Sequence, residues 1–328
     1  MPFRSTTALQ HTKMHFTSVT DISDVHVLIQ EALALKKDPL AFQLLGKNKT
    51  LGLVFMNPSL RTRLSTQKAA QNLGMNVMTV NADKDSWALE FQDGAVMNGH
   101  TVEHIRDAAP VLGAYCDFIG VRCFSGLQSK EADNEEHIMR QFINLTGKPY
   151  ISLESATLHP LQSLADCMAM AELRPTHRPK VVLTWAPHIK PIPHAVANSF
   201  AEWVNRTDAD FVITCPEGYN LDTRFSGRTP TEHNQQKALE GADFVYVKNW
   251  SSYHDYGNIH CTDSAWMLTE KHLQNTNHAR VMHCLPVRRN IELSDEILDG
   301  PHSLVQAQAV NRVFAAQVIL KRMLESNP

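Results

Sequence analysis

An α/β fold of two domains, each a parallel β-sheet flanked by helices, is predicted by three features of this sequence. Its 328 residues suit two domains at roughly 150 residues apiece. Apolar, β-branched runs recur between stretches of helical periodicity, as α/β layers require. The intervening helices are about 10 to 13 residues long, enough for right-handed crossovers between parallel strands.

Met1–Lys13 (MPFRSTTALQHTK) holds one Arg, one Lys and no apolar core. It argues against a secretory signal and reads as a frayed or non-native extension, with structure beginning near Phe16. Leu51–Met56 (LGLVFM), Asn76–Val80 (NVMTV) and Asp117–Arg122 (DFIGVR) are the strands of the first half. Arg61–Leu73, Val102–Leu112 and Glu135–Leu145 are its helices. Leu161–Leu173 (LQSLADCMAMAEL) is a strong connecting helix, broken by the two prolines of Arg174–Pro179 (RPTHRP). Lys180–Trp185 (KVVLTW), Asp210–Thr214 (DFVIT), Asp243–Lys248 (DFVYVK) and Arg280–Cys284 (RVMHC) form a second set of strands, with helices at His194–Asn205 and Glu232–Leu239. The last helix, Asn311–Leu324, sets Val313, Phe314, Val318, Ile319 and Met323 at helical spacing and is expected to pack back on one of the domains.

Composition narrows the function. Hydrophobic residues are 43% and charged residues 20% of the chain, which excludes a disordered tail or a highly charged nucleic-acid binder. A net charge of −3 offers no bulk field for DNA or an anionic membrane and leaves room only for a local patch that binds a small anion. No apolar run approaches the roughly 18 to 20 residues that span a bilayer. The six cysteines, Cys116, Cys123, Cys167, Cys215, Cys261 and Cys284, include no C-x-x-C pair and read as reduced thiols of a cytoplasmic protein.

Three segments carry chemistry. In Phe55–Arg63 (FMNPSLRTR) a strand ends, Pro58 turns the chain, and a helix opens on Ser59, Leu60, Arg61, Thr62 and Arg63. A helix N-terminus has unpaired N–H groups and positive dipole density, and arginine adds a planar fork for phosphate oxygens. A Ser N-cap with solvated arginines is an equally good local reading. In His159-Pro160-Leu161-Gln162, His and Gln lie three apart on one helical face and can address one polar group. His283-Cys284-Leu285-Pro286-Val287-Arg288-Arg289 follows another strand. Its His and Cys lack partners at zinc spacing, so no metal and no cofactor is expected there, and a lone Cys beside a His is poor evidence for a nucleophile. Arg122 adds a cation at the same sheet edge. Neither G-x-G-x-x-G nor G-x-x-x-x-G-K-[ST] occurs, which argues against a nucleotide-binding protein.

Together, in this order and spacing, these motifs resemble the aspartate/ornithine carbamoyltransferase family over nearly the whole chain, from about Phe16 to Leu324. The resemblance implies a carbamoyl-phosphate domain of residues 14–158 plus 311–328, an amino-acid-substrate domain of residues 159–310, and a homotrimer with active sites shared between subunits. It implies that Ser59, Leu60, Arg61, Thr62 and Arg63 form the phosphate-binding turn. Arg122 and His159 would hold the carbamoyl carbonyl, Gln162 with the backbone at Cys284 and Leu285 its amide, and Arg312 would complete that site. Leu60 departs from the family's usual threonine, which loses one hydroxyl but neither arginine.

The amine acceptor is read from what is missing. The chain has no Ser-Met-Gly, the segment by which ordinary ornithine enzymes hold free ornithine; Val247-Lys248-Asn249-Trp250 stands there, with Trp185-Ala186-Pro187-His188 and Lys190 upstream. These features resemble the branch of the family that uses α-N-acylated ornithine. That resemblance implies roles for Glu154 toward the acylated N–H, for Lys248 and Arg288 toward the α-carboxylate, and for Trp87 in a neighbouring subunit's site. Taken alone, Glu154 reads as a cap or surface carboxylate and Trp87 as a core or partly buried aromatic. Acetyl-preferring relatives place an acid where this chain has Val102, and an acid there would repel a succinyl carboxylate that His188 and Lys190 could attract. N-succinylornithine is therefore the expected acceptor, with N-acetylornithine as the alternative and a non-catalytic anion-binding paralogue as the rival from another class. Arg122, His159 and Thr62 would stabilise the oxyanion, and Cys284 would orient the substrate without a covalent bond.

Overall fold

The computed structural model describes residues 13–82, 84–173 and 178–327. Two large parallel sheets are joined by one helix that is buried along all but its last two residues. The first half runs α1 (Val25–Lys37), β1 (Thr50–Phe55), α2 (Leu60–Asn72), β2 (Asn76–Asn81), β3 (Leu89–Glu90), β4 (Glu103–His104), α3 (Ile105–Tyr115), β5 (Phe118–Arg122), α4 (Lys130–Asn134), α5 (His137–Thr146) and β6 (Tyr150–Glu154). The joining helix is α6 (Pro160–Glu172). The second half runs β7 (Lys180–Trp185), α7 (Ala195–Val204), β8 (Asp210–Thr214), α8 (Thr223–Ser226), β9 (Thr231–Glu232), α9 (Gln235–Leu239), β10 (Phe244–Lys248), α10 (Glu270–Leu273), β11 (Arg280–Met282), α11 (Asp295–Asp299) and α12 (Val305–Ser326).

The first sheet has the order β2-β1-β5-β6 and the second β11-β10-β7-β8-β9, every pairing being parallel. Parallel register brings strand ends to one edge. Phe55 pairs with Asn81 and Arg122, and Arg122 with Glu154, so the turns that leave β1, β2, β5 and β6 open on the same side. Ligands of open α/β sheets bind at that edge. Phe16 extends the sheet beside β6, donating to the Tyr150 carbonyl and accepting from the Ser152 N–H, both at 2.8 Å.

One hydrophobic core runs from Phe16 and Leu28 through Leu164 and Met168 of α6 to Trp185, Phe200 and Tyr246 of the second half. α12 packs on α1, α2 and α6, so the end of the chain returns to the first sheet's side. No helix among the described residues is long and apolar enough to cross a membrane.

Among the elements that the structure adds to the sequence reading, α1 and β6 are the longest buried ones. α1 has an Asp24 cap and buries Val25, Leu28, Ile29, Ala32 and Leu35 at helical spacing. β6 is five buried residues, too short a run for periodicity to separate strand from helix. Several boundaries also differ. The helix read at Val102–Leu112 begins at Ile105, because Glu103 and His104 pair with Leu89 and Glu90. The helix read at Glu135–Leu145 is α5, which begins at His137 because Glu136, at a φ of +53°, separates it from the short α4 upstream. Thr231 and Glu232 join the sheet, so α9 starts at Gln235 behind an Asn234 cap. The last helix starts six residues earlier than Asn311, and β11 ends at Met282. Of the proline-containing break, Arg174 to His177 lie outside the described residues.

Candidate active site

The turn after β1 places its residues by helix geometry. Ser59 is extended and caps α2, its Oγ accepting from the Thr62 N–H at 3.2 Å. Thr62, Ser65, Thr66, Ala69 and Ala70 form the buried face of α2. Leu60 and Leu64, one turn apart, are 70% and 56% exposed on the other face. The Leu60 side chain therefore points away from Thr62, which leaves its backbone as its only contribution. Arg61 and Arg63 are two residues apart and do not share a face. Burial lowers the Arg61 guanidinium, with the Arg122 charge acting in the same direction, whereas Arg63 donates to Asn81 at the end of β2.

Three elements, α2, β5 and α12, meet at the Thr62 hydroxyl. Arg122, at the end of β5, donates to Thr62 Oγ1 from Nη1 at 3.2 Å, and Arg312 of α12 donates to it from Nη2 at 2.7 Å. Both oxygen lone pairs are thus occupied, and the Thr62 O–H remains as a donor. Arg312 Nη1 donates to Gln162 Oε1 at 2.5 Å and lies 3.5 Å from His159 Nε2. Pro160 at the first position of α6 starts that helix and holds His159 and Gln162 toward the cluster. Glu154, at the end of β6, pairs with Arg122 Nη1 and stands 3.3 Å from His159 Nε2.

The cluster is dry and positively charged. Thr62, Arg122, Glu154, His159, Gln162 and Arg312 are all buried. Burial, reinforced by Arg312 and Arg122, pushes the His159 imidazole well below its ordinary value, so it is neutral. Burial and the Arg122 charge draw the Arg312 guanidinium down to about 10. Burial raises the Glu154 carboxyl, with Arg122, Arg312 and Lys248 opposing it. The buried atoms Arg61 Nε, Arg122 Nε, Arg312 Nε and His159 Nδ1 have no hydrogen-bond partner among the described residues. Unpaired buried donors around a cluster of guanidinium groups suit an anion.

The second sheet supplies the opposite wall. Beyond β11, the His283 N–H donates to Gln308 Oε1 at 2.9 Å and the Leu285 N–H to His283 Nδ1 at 2.9 Å. Leu285 turns the loop at a φ of +53°. Burial raises the Cys284 thiol against the pull of Lys248 and Arg61, so the group is a thiol and not a nucleophilic thiolate. Lys248 ends β10 and is buried. Arg288 Nε donates to His188 Nε2 at 3.2 Å, and His188 Nδ1 donates to the Lys190 carbonyl at 2.8 Å. Lys190 itself is exposed.

The predicted residues thus gather unevenly. Arg122, Thr62, His159, Gln162 and Arg312 form one bonded cluster, and Glu154 belongs to it. His188, Lys190 and Arg288 form a second group. Trp87 joins neither: it is 53% exposed and donates to Glu103 Oε2 at 2.6 Å, in the loop that also exposes Val102. Three residues of the site were not singled out from the sequence. Glu292 is buried, accepts from the Arg288 N–H at 2.7 Å and lies 3.5 Å from His283 Nε2. Burial opposes its ionisation, but His283 and Lys248 prevail and hold its carboxyl at about 2. Asp166 and Gln308 lie behind Gln162. A lone Asp within the apolar run of α6 was a readable signal; Glu292 had none, since only the loop's path brings it back to His283.

Comparison with known proteins follows the same two halves. Residues 14–172 match the family description "Aspartate/ornithine carbamoyltransferase, carbamoyl-P binding domain", and residues 193–323 match "Aspartate/ornithine carbamoyltransferase, Asp/Orn binding domain". The chain is 51% identical over 315 residues to an N-succinylornithine carbamoyltransferase of Bacteroides fragilis, covering 95% of this chain and 99% of that one. It is 34% identical to an N-acetylornithine carbamoyltransferase of Xanthomonas campestris pv. campestris, covering 96% and 99%. A solved structure of a Glu-to-Val variant of N-acetyl-L-ornithine transcarbamylase, complexed with carbamyl phosphate and N-succinyl-L-norvaline, superimposes with a TM-score of 0.87 at 34% identity, covering 94% and 99%.

Proposed function

Because this chain belongs to the aspartate/ornithine carbamoyltransferase family, we propose that it transfers the carbamoyl group of carbamoyl phosphate to the δ-amine of N-succinyl-L-ornithine, giving N-succinyl-L-citrulline and phosphate. The observation that carries the reading is the buried cluster in which Arg122 and Arg312 converge on Thr62 beside a neutral His159. The substrate assignment is supported by the relative that bears that substrate's name at 51% identity. It is also supported by Val102, an apolar residue on the exposed loop where an acid would repel a second carboxylate.

The phosphate is taken by Arg61, Ser59 and the N-terminus of α2, with Arg63 on its flank. The carbamoyl oxygen faces the Thr62 hydroxyl, Arg122 and His159. The uncharged δ-amine attacks the carbamoyl carbon, and negative charge grows on that oxygen. Each donor aimed there lowers the barrier by about 2.7 to 4 kcal/mol. As the tetrahedral intermediate collapses, phosphate leaves with the electron pair of the C–O bond and accepts the amine proton, so no separate protein base is needed. Gln162 and the loop at Cys284 and Leu285 hold the carbamoyl nitrogen. Lys248 and Arg288 receive the α-carboxylate, Glu154 borders the acylated N–H, and His188 with Lys190 supplies charge to the succinyl carboxylate.

Residues 14–158 with 311–328 form the carbamoyl-phosphate domain and 159–310 the acylornithine domain, a division supported by the packing of α12 on α1 and α2. The working unit is a homotrimer, in which Trp87 of each chain serves a neighbour; its 53% exposure away from its own cluster supports this. Six unpaired thiols suit a cytoplasmic enzyme of arginine biosynthesis. The test is to incubate the protein with carbamoyl phosphate and separately with ornithine, N-acetylornithine and N-succinylornithine, then measure ureido product. Product with the succinyl compound is expected. Turnover of the acetyl compound in preference would reassign the substrate, and none with any acceptor would leave an anion-binding paralogue.

A further inference from the structure

The geometry points to Asp166 as the positioning residue that aims the acceptors for the carbamoyl nitrogen. This rests on the carbamoyl-phosphate reading above. Asp166 is fully buried on α6, one helical turn beyond Gln162. Its Oδ1 accepts from Gln162 Nε2 and from Gln308 Nε2, both at 2.8 Å. The carboxyl also meets the hydroxyl of Tyr246, a buried residue of β10. One oxygen therefore organises two amides that come from different helices.

Each amide is locked by what its other end meets. Gln162 Oε1 accepts from Arg312, so turning the amide over would set its NH2 against a guanidinium and its oxygen against a carboxyl. The lock presents Oε1, an acceptor, to the cluster. A carbamoyl nitrogen has only hydrogens to offer and requires acceptors. Gln308 is locked in the same sense, its Oε1 accepting from the backbone N–H of His283. That bond fixes the chain two residues before Leu285, at the loop whose carbonyls are the other acceptors. Asp166 thus reaches the nitrogen subsite by two arms, one through Gln162 and one through Gln308 and the His283 loop, without touching substrate.

The role predicts a defect confined to the nitrogen. Binding to the folded protein is measured by calorimetry with phosphonoacetamide, a stable analogue that keeps the amide nitrogen, and with inorganic phosphate, which lacks it. Asp166→Ala should weaken phosphonoacetamide about tenfold or more while phosphate changes less than about twofold, because a buried amide left free to turn loses its selected partner. Asp166→Asn keeps an oxygen for both amides and should recover most of the loss. In a Gln162→Ala background, Asp166→Ala should cost less than it does alone, because one arm is already cut. Equal loss of both ligands, no loss of either, or an Asp166→Asn protein as impaired as Asp166→Ala overturns the assignment. Should Asp166→Ala not fold, Gln308→Met cuts only the arm to His283, and an unchanged affinity for phosphonoacetamide overturns it. A wild-type chain that binds phosphonoacetamide no better than phosphate has no nitrogen subsite, and the assignment falls. One that binds it selectively but makes no ureido product refutes the enzymatic reading and leaves this one standing.

Discussion

Arg312, near the end of the chain, donates to the hydroxyl of Thr62 at 2.7 Å across 250 residues of sequence. That bond ties the last helix to the first turn of α2. Because Arg122 donates to the same oxygen, the hydroxyl has only its proton left to offer a ligand. Thr62→Val should lower kcat by about a hundredfold, the range found when one oxyanion donor is removed. Steady-state kinetics at saturating substrates check it, with circular dichroism confirming the fold. A kcat within a few-fold of wild type would remove Thr62 from the mechanism.

Val102 is 64% exposed and lies one residue before Glu103, the acceptor of the Trp87 indole N–H. Val102→Glu places a second negative charge in this loop. The expected result is a fall of about tenfold in kcat/KM for N-succinylornithine with little change for N-acetylornithine, since repulsion acts only on the extra carboxylate. The ratio of the two kcat/KM values at low ionic strength is the measurement.

Trp87 and Arg61 are predicted to serve different active sites of one assembly. Trp87→Ala and Arg61→Ala proteins should each be nearly inactive alone. When the two are dissociated and reassembled together, activity should return, because some sites draw an intact Arg61 and an intact Trp87 from different chains. Mixtures that stay inactive after verified subunit exchange would show that each chain completes its own site.

Glu292 links function to pH. Its carboxyl stands at about 2 in the folded protein against an ordinary value of 4.5. The folded value is depressed, so the stabilisation is present above about 4.5 and is lost as pH falls toward 2. Glu292→Gln should be less stable at pH 7 by at most about 3 kcal/mol, and the deficit should shrink between pH 5 and pH 2. Denaturant unfolding across that range tests it. The same variant leaves one acceptor oxygen to serve both the Arg288 N–H and His283 Nε2, which loosens the loop at Arg288, so KM for the acylornithine should rise more than KM for carbamoyl phosphate.

Much of this was legible before the structure. The strands at Lys180–Trp185 and Asp210–Thr214 lie where the apolar runs place them, since a run buried on both faces has to be continuous in sequence. The turn at Ser59 and the start of α6 at Pro160 were readable because capping chemistry is local. β6 was not, because a five-residue run interrupted by Ser152 fits a strand or a buried helix equally well, and its neighbours β5 and Phe16 settle the matter.

The amino-acid order alone determined the alternation of strands and helices, the turns that hold the arginines, and the residue types available for an anion. Tertiary structure decided which of them meet. Arg63 was grouped with Arg61 by sequence, yet helix geometry turns it to Asn81. The resemblance gives Glu154 a role toward the acceptor substrate, and parallel register adds a partner that the sequence does not show, Arg122. Asp166 and Glu292 gained roles only through partners brought from distant segments. The reason is range. Caps and periodicity act over a few residues, whereas desolvation and charge act on whatever the packing brings within a few ångströms.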